Sequence, residues 1–133
     1  METFPPIPIT TVTDIVTARQ RGRDMALSLG FSETEATLIA TIISELARNI
    51  VLYAGGGEIA ISNSGSGPRK GISIVSRDQG PGIADVQRAL LGGYSTSGGL
   101  GLGLCGVRRM VDEFHLESAP AKGTTVSVKK WLQ

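Results

Sequence analysis

The sequence holds one cysteine, Cys105, and one histidine, His115. A single cysteine excludes an internal disulfide and points to a reducing compartment, the cytoplasm. Aromatic residues make up 5% of the chain and charged residues 19%, and the formal net charge is +1. No basic stripe accompanies so few aromatics, which argues against nucleic acid as a partner. No run of 18 apolar residues occurs, so no membrane span is expected. The opening Met-Glu-Thr-Phe-Pro-Pro has no basic segment ahead of its apolar residues and does not read as a signal peptide. Cys105 and His115 stand ten residues apart with nothing to mark them as a catalytic pair. Cys105 reads as a small buried apolar residue, and His115 as a structural residue at a helix-to-strand junction. With 41% apolar residues, the 133-residue chain can bury one core, and residues 1–133 are read as a single domain.

Glycine is the residue in excess. Seven of the fifteen residues in 92–106, Gly-Gly-Tyr-Ser-Thr-Ser-Gly-Gly-Leu-Gly-Leu-Gly-Leu-Cys-Gly, are glycine. Such density disfavours a helix interior or a packed strand and permits close approach of the main chain to a ligand. Leu104, Val107, Met110 and Val111 follow at helical spacing. A glycine loop feeding a helix N-terminus gathers unpaired N–H groups at the positive end of a dipole, which suits an anion such as phosphate. The plain alternative is a flexible linker, but Leu100, Leu102 and Leu104 between the glycines call for packing. If phosphate engages the loop, nucleotide is expected to order it.

Around that loop the chain reads as alternating helices and strands. Residues 1–12 contain three prolines, and Ile7 and Ile9 flank Pro8 as in an edge strand or extended arm. Thr13 or Asp14 can cap a helix over 14–29 that ends at Gly30, with Ile15, Ala18, Gly22, Met25, Ala26 and Leu29 on one face. Its other face carries Arg19, Arg21, Arg23 and Asp24, a solvated charged surface. Ser32 and Glu35 form a capping box for a helix of about twenty residues. Its stripe of Ala36, Ile39, Ala40, Ile43, Leu46, Ala47, Ile50 and Val51 repeats at 3.6 residues and ends at Gly55-Gly56-Gly57. Strands are expected at 58–63 and 71–77, joined by a turn over 64–70. A short helix over 84–91 precedes the glycine loop, and the helix after it extends to Phe114. A last hairpin pairs 116–118 with 124–131 around 120–123.

Four polar or glycine positions could carry chemistry. Glu45 and Asn49 are four apart on the long helix, so both address one site. An amide oxygen can ligate a hard cation, and a carboxylate one turn away can orient or deprotonate a hydroxyl. Taken alone, the pair also fits the polar edge of an amphipathic helix. Asp78 ends a strand at a Gly-Pro-Gly turn. There it can accept a hydrogen bond from an exocyclic amine, or simply form an Asx-turn. Gly123-Thr124 opens a strand and has an equally ordinary reading as turn residues.

Taken together, Glu45-Leu-Ala-Arg-Asn49, Asp78-Gln-Gly-Pro-Gly82, the run 98–104 and Gly123-Thr124 resemble the four ATP-binding boxes of the GHKL superfamily, the Bergerat fold. The likeness spans about residues 32–130. The small size, the helix ending Glu-Leu-Ala-Arg-Asn-Ile and the compact segment 94–104 resemble the anti-sigma and switch serine kinases within it. The resemblance implies a two-layer α/β sandwich, a mixed and mostly antiparallel sheet with helices on one face and ATP between them. It implies Asn49 as ligand of Mg²⁺ and Glu45 as general base. It implies Asp78 as acceptor of the adenine amine, with Thr124 at the same edge and Gly80 and Gly82 making room for the base. Gly99, Gly101 and Gly103, with the helix beginning at Leu104, would hold the phosphates, and Arg48 could reach phosphate or acceptor. Only fifteen residues separate Gly82 from Gly98. So short a lid suits a site completed by a partner. The implied activity is a serine/threonine protein kinase of a bacterial partner-switching module. It would phosphorylate a STAS-domain protein and, once released, bind and activate a PP2C-type phosphatase. The alternatives are an anti-sigma factor kinase that binds a sigma factor directly, and a nucleotide-dependent binding module without turnover.

Overall fold

A computed structural model of the chain describes residues 5–65, 68–80 and 103–132. The predicted helix 84–91, most of the glycine loop and the short lid lie outside these residues. In order come β1 (Ile7–Ile9), α1 (Val12–Leu29), α2 (Glu33–Asn49), a π-helical turn (Ile50–Ala54), β2 (Gly57–Ser64), β3 (Gly71–Asp78), α3 (Gly103–Met110), β4 (Glu113–Ser118) and β5 (Thr124–Trp131). The five strands form one sheet in the order β1-β2-β3-β5-β4, and each described pairing is antiparallel.

Register explains which face is covered. Ile61 stands opposite Ile74, and Ile74 opposite Val128; Ile59 stands opposite Ser76, and Ser76 opposite Val126. Opposed residues point to the same side of a sheet, so Ile59, Ile61, Ile74, Val126 and Val128 form one apolar face, with the buried Ser76 among them. They share a core with Ala18 and Ala26 of α1, Ile39, Ile42, Ile43 and Leu46 of α2, and Val107 of α3. The domain is therefore a two-layer sandwich with its core between helices and sheet. The 3.6-residue stripe carries much of this core: Ile39, Ile43 and Leu46 of α2 and Ile50 of the π turn are at most 1% exposed, and Ile42, which the stripe did not include, is as deeply buried. Each such burial stabilises the fold by roughly 1.5–3 kcal/mol. With its π turn, α2 is long and apolar enough to cross a bilayer by length and composition, but half of its most apolar window is buried inside the domain.

Gly22 lets α1 approach α2. A Cβ built there would meet Ile43 Cδ1 at 1.9 Å. β1 is the edge strand expected from Ile7-Pro8-Ile9: both isoleucines are buried, and Pro8 is exposed opposite Glu58. Proline at an edge forfeits no interior ladder bond.

Four expectations need correction. First, α1 begins at Val12 with Thr11 as its N-cap, rather than at Asp14 with a cap at Thr13 or Asp14. Asp14 sits at the third helical position, and its Oδ2 accepts from the N–H groups of Thr10 (2.9 Å) and Thr11 (3.0 Å) and from the Thr10 hydroxyl (3.0 Å). Second, the helix expected to reach Phe114 ends at Met110, and Phe114 belongs to β4. Asp112 forces the change: its N–H donates to the Lys129 carbonyl (3.0 Å), and its Oδ2 accepts from the Trp131 N–H (2.7 Å). Third, His115 lies within β4 rather than at a junction. It is exposed and pairs with Glu117 Oε1 at 2.9 Å. Fourth, Cys105, read as a small buried residue, is only half-buried.

The Asp14 carboxyl is held below its ordinary 3.8, chiefly by the backbone N–H of Thr10 and then by that of Thr11. A depressed folded-state value stabilises the fold above the unfolded value, and that stability is lost as pH falls through the folded one. Asp14→Ala is therefore expected to lower the melting temperature at neutral pH. The gap to wild type should close as the pH is taken below 3.8. Melting curves from pH 7 downward test this, and a gap that stays constant would place the effect in the hydrogen bonds themselves rather than in the charge.

Candidate functional site

The residues singled out in the sequence fall on two adjoining parts of the fold. Glu45 and Asn49 lie on the last turns of α2, one turn apart. Glu45 is 7% exposed, whereas Asn49 is half-buried. A carboxylate that deep in an apolar helix face needs a partner. Among the described residues Arg48 supplies it, with Nη1 3.7 Å from Glu45 Oε1. That distance makes an ion pair without a hydrogen bond, so the carboxylate keeps hydrogen-bonding capacity for a visiting group. Asn49 makes no capping hydrogen bond to the π turn that follows it. Its carboxamide oxygen is a hard donor. Among the described residues no three His, Cys, Asp or Glu side chains gather into a metal cage. A single hard donor of this kind fits Mg²⁺, which typically keeps waters and binds through one or two protein ligands plus substrate phosphates.

The second part is one row across the end of the sheet. Gly57 of β2 stands opposite Asp78 of β3, Asp78 opposite Thr124 of β5, and Thr124 opposite Ser118 of β4. These positions continue the alternation that puts Ile74, Ser76, Val126 and Val128 on the helix side, so Asp78, Thr124 and Ser118 share the core-facing side beyond the apolar residues. Asp78 Oδ1 accepts from the Gly80 N–H at 2.9 Å, the Asx-turn expected of Asp before glycine. The Ser118 hydroxyl donates to the Gly123 carbonyl at 3.0 Å and lies 2.9 Å from Thr124 Oγ1. Gly123 has φ +76°, and a Cβ there would stand 2.2 Å from the Asp78 carbonyl oxygen. Only glycine allows both that backbone angle and that approach of β5 to β3.

Gly80 joins the two parts. A Cβ there would meet Cβ and Cα of Ala54 at 2.6 and 2.7 Å. The Asp78–Gly80 turn is thus packed against the end of the π turn that continues the Glu45–Asn49 helix. Gly55, at φ +75°, ends that turn and returns the chain to β2. The room made by Gly80 is taken, on this side, by Ala54.

Gly103 opens α3 at φ +38°, and Leu104 is packed on the core from the helix's first turn. α3 contacts α2. Gly82, Gly99 and Gly101 lie outside the described residues. The sequence reading missed Ser118. Its signal was the alternation of Leu116 and Ser118 against Val126 and Thr124, which becomes visible only when the β4–β5 register is fixed.

Residues 34–133 match the family described as histidine kinase-, DNA gyrase B- and HSP90-like ATPases. The chain is 51% identical over 125 residues to the serine/threonine-protein kinase RsbT of Bacillus subtilis, covering 94% of both chains. It is 33% identical over 103 residues to an anti-sigma F factor of Halalkalibacterium halodurans, covering 74% of this chain and 70% of that one. An anti-sigma F factor of a Thermoanaerobacter species is 29% identical over 100 residues, covering 71% and 68%.

Proposed function

We propose that this chain, which belongs to the histidine kinase-, DNA gyrase B- and HSP90-like ATPase family, is the ATP-dependent serine/threonine protein kinase of a cytoplasmic partner-switching module. The observation that carries the reading is the packing of Gly80 on Ala54. It sets an amine-accepting carboxylate, Asp78, beside the end of a helix that offers a buried carboxylate and a hard oxygen donor. That is the arrangement a nucleoside triphosphate needs if its base and its phosphates are to be held at once.

Each residue then has a task. Asp78, with Thr124 beside it, accepts from the adenine amine. Asn49 holds Mg²⁺, which neutralises phosphate charge when bound with ATP. Gly103 at the start of α3, with Gly99 and Gly101 before it, takes the phosphates. Glu45 accepts the proton of the acceptor hydroxyl as its oxygen bonds to the γ-phosphorus. The bond from that phosphorus to the β–γ bridging oxygen breaks, and ADP leaves. Phosphoryl transfer asks mostly for such positioning and charge neutralisation.

The acceptor is a serine or threonine on a STAS-domain partner, and a PP2C-type phosphatase is the second partner, bound and activated when the first lets go. Leu52 and Tyr53, 54% and 48% exposed on the π turn, give the end of α2 an apolar surface against which an acceptor protein can pack. The relatives named as anti-sigma F factors favour one other reading, a kinase that binds a sigma factor directly.

The test is incubation with γ-labelled ATP, Mg²⁺ and a purified STAS-domain protein. Label should pass to serine or threonine of that protein. ATP with Mg²⁺ at a hundredfold excess over Kd should also stabilise the fold by about 2.7 kcal/mol, several degrees of melting temperature. Stabilisation without transfer would leave a nucleotide-dependent binding module. Capture of sigma factor rather than phosphatase from a purified mixture would select the anti-sigma reading.

A further inference from the structure

The row at the sheet end contains one residue to which the nucleotide reading gives no task, Ser118. A hydroxyl has one proton. The Gly123 carbonyl can only accept, so at the 3.0 Å contact the Ser118 hydroxyl donates. With its proton committed there, the 2.9 Å contact to Thr124 Oγ1 takes its proton from Thr124. Both distances lie in the normal range for O–H···O bonds. Thr124 is thereby left with lone pairs alone to present along the row toward Asp78, the residue directly opposite it.

We infer that Ser118 is a specificity-determining positioning residue: it fixes the Thr124 hydroxyl as an acceptor, so that Asp78 and Thr124 together read an amine and reject a carbonyl. This rests on the reading of Asp78 and Thr124 as the base-binding edge. Adenine presents an amine at position 6 and guanine presents a carbonyl. Two acceptors side by side favour the first and repel the second. A serine that only closed the β4–β5 turn would stabilise the hairpin and leave base choice alone.

The two roles separate experimentally. Ser118→Ala frees the Thr124 proton, which can then turn toward a carbonyl. The ratio of ATP to GTP affinity, measured by calorimetry, is expected to fall about tenfold, the size of one redirected hydrogen bond. Ser118→Thr keeps the hydroxyl and should restore the ratio. In a Thr124→Val background, Ser118→Ala should no longer change it. Should Ser118→Ala fail to fold, Ser118→Cys keeps the volume with a much weaker donor and should give the same fall. A ratio unchanged in the folded variant, or changed equally in the Thr124→Val background, overturns the inference alone. A wild-type protein that binds ATP and GTP alike overturns it together with the base-reading role of Asp78.

Discussion

Glu45→Gln is expected to slow phosphoryl transfer to the partner by about 10²–10⁴-fold, the usual contribution of a positioned general base. The substitution keeps shape and helix propensity and removes only the ability to take a proton. Its structural cost should be small. Glu45 has one charged partner among the described residues, Arg48, and Arg48 is itself partly exposed. Breaking a buried pair is destructive when the orphaned charge stays buried; here the orphan can turn to water. Melting temperature and ATP affinity should therefore stay near wild type while turnover collapses. Single-turnover transfer to the STAS-domain protein, read beside calorimetry on the same preparation, separates these quantities. Transfer within about threefold of wild type would remove Glu45 from the chemistry and leave its burial as an element of the α2 packing. A parallel loss of ATP affinity would make it a binding residue instead.

What could be read in the sequence follows from how local each signal is. The α2 stripe needed only neighbours three and four apart. Half of its expected capping box is made: the Glu35 N–H donates to Ser32 Oγ at 3.1 Å, but the Glu35 carboxylate accepts from the Ser32 hydroxyl (3.4 Å) rather than from the Ser32 backbone N–H. Residues 104–114 were ambiguous for a physical reason. Leu104, Val107, Val111 and Phe114 fit a helix, but Phe114 and Leu116 also alternate as in a strand. The decision belongs to Asp112, whose partners Lys129 and Trp131 are at least seventeen residues away. No local pattern contains that pairing. The site divides in the same way. Glu45 with Asn49 is a matter of helical spacing, and Asp78 before glycine one of turn chemistry. That Gly80 abuts Ala54, that Gly123 abuts the Asp78 carbonyl and that Ser118 holds Thr124 all depend on strand register and on how the layers dock. A glycine in the sequence says that something comes close. Only the fold says what.

Asn49→Ala is expected to abolish phosphoryl transfer and, with it, the dependence of ATP binding on Mg²⁺. The second effect is the more telling, because it does not pass through turnover. Without the metal, triphosphate and protein meet with the phosphate charge unneutralised. With it, affinity should rise for a chain that supplies a ligand and should hardly change for one that does not. A charge-assisted contact contributes about 1.5–3 kcal/mol, so wild-type ATP should bind roughly ten- to a hundredfold tighter with Mg²⁺ than with chelator, and the variant nearly equally in both. The fold gives no reason for the variant to fail. Asn49 is half-buried at the helical angles φ −60° and ψ −39°, and it makes no side-chain cap to the π turn. Alanine there is the better helix former by some tenths of a kcal/mol, so the melting temperature without nucleotide should hold or rise slightly. Asn49→Asp sharpens the comparison, since a carboxylate keeps an oxygen ligand and should retain part of the Mg²⁺ dependence. If Asn49→Ala binds ATP with the wild-type response to Mg²⁺, the metal is held elsewhere. Asn49 would then be what its helix position alone suggests, a polar residue at the rim of the core.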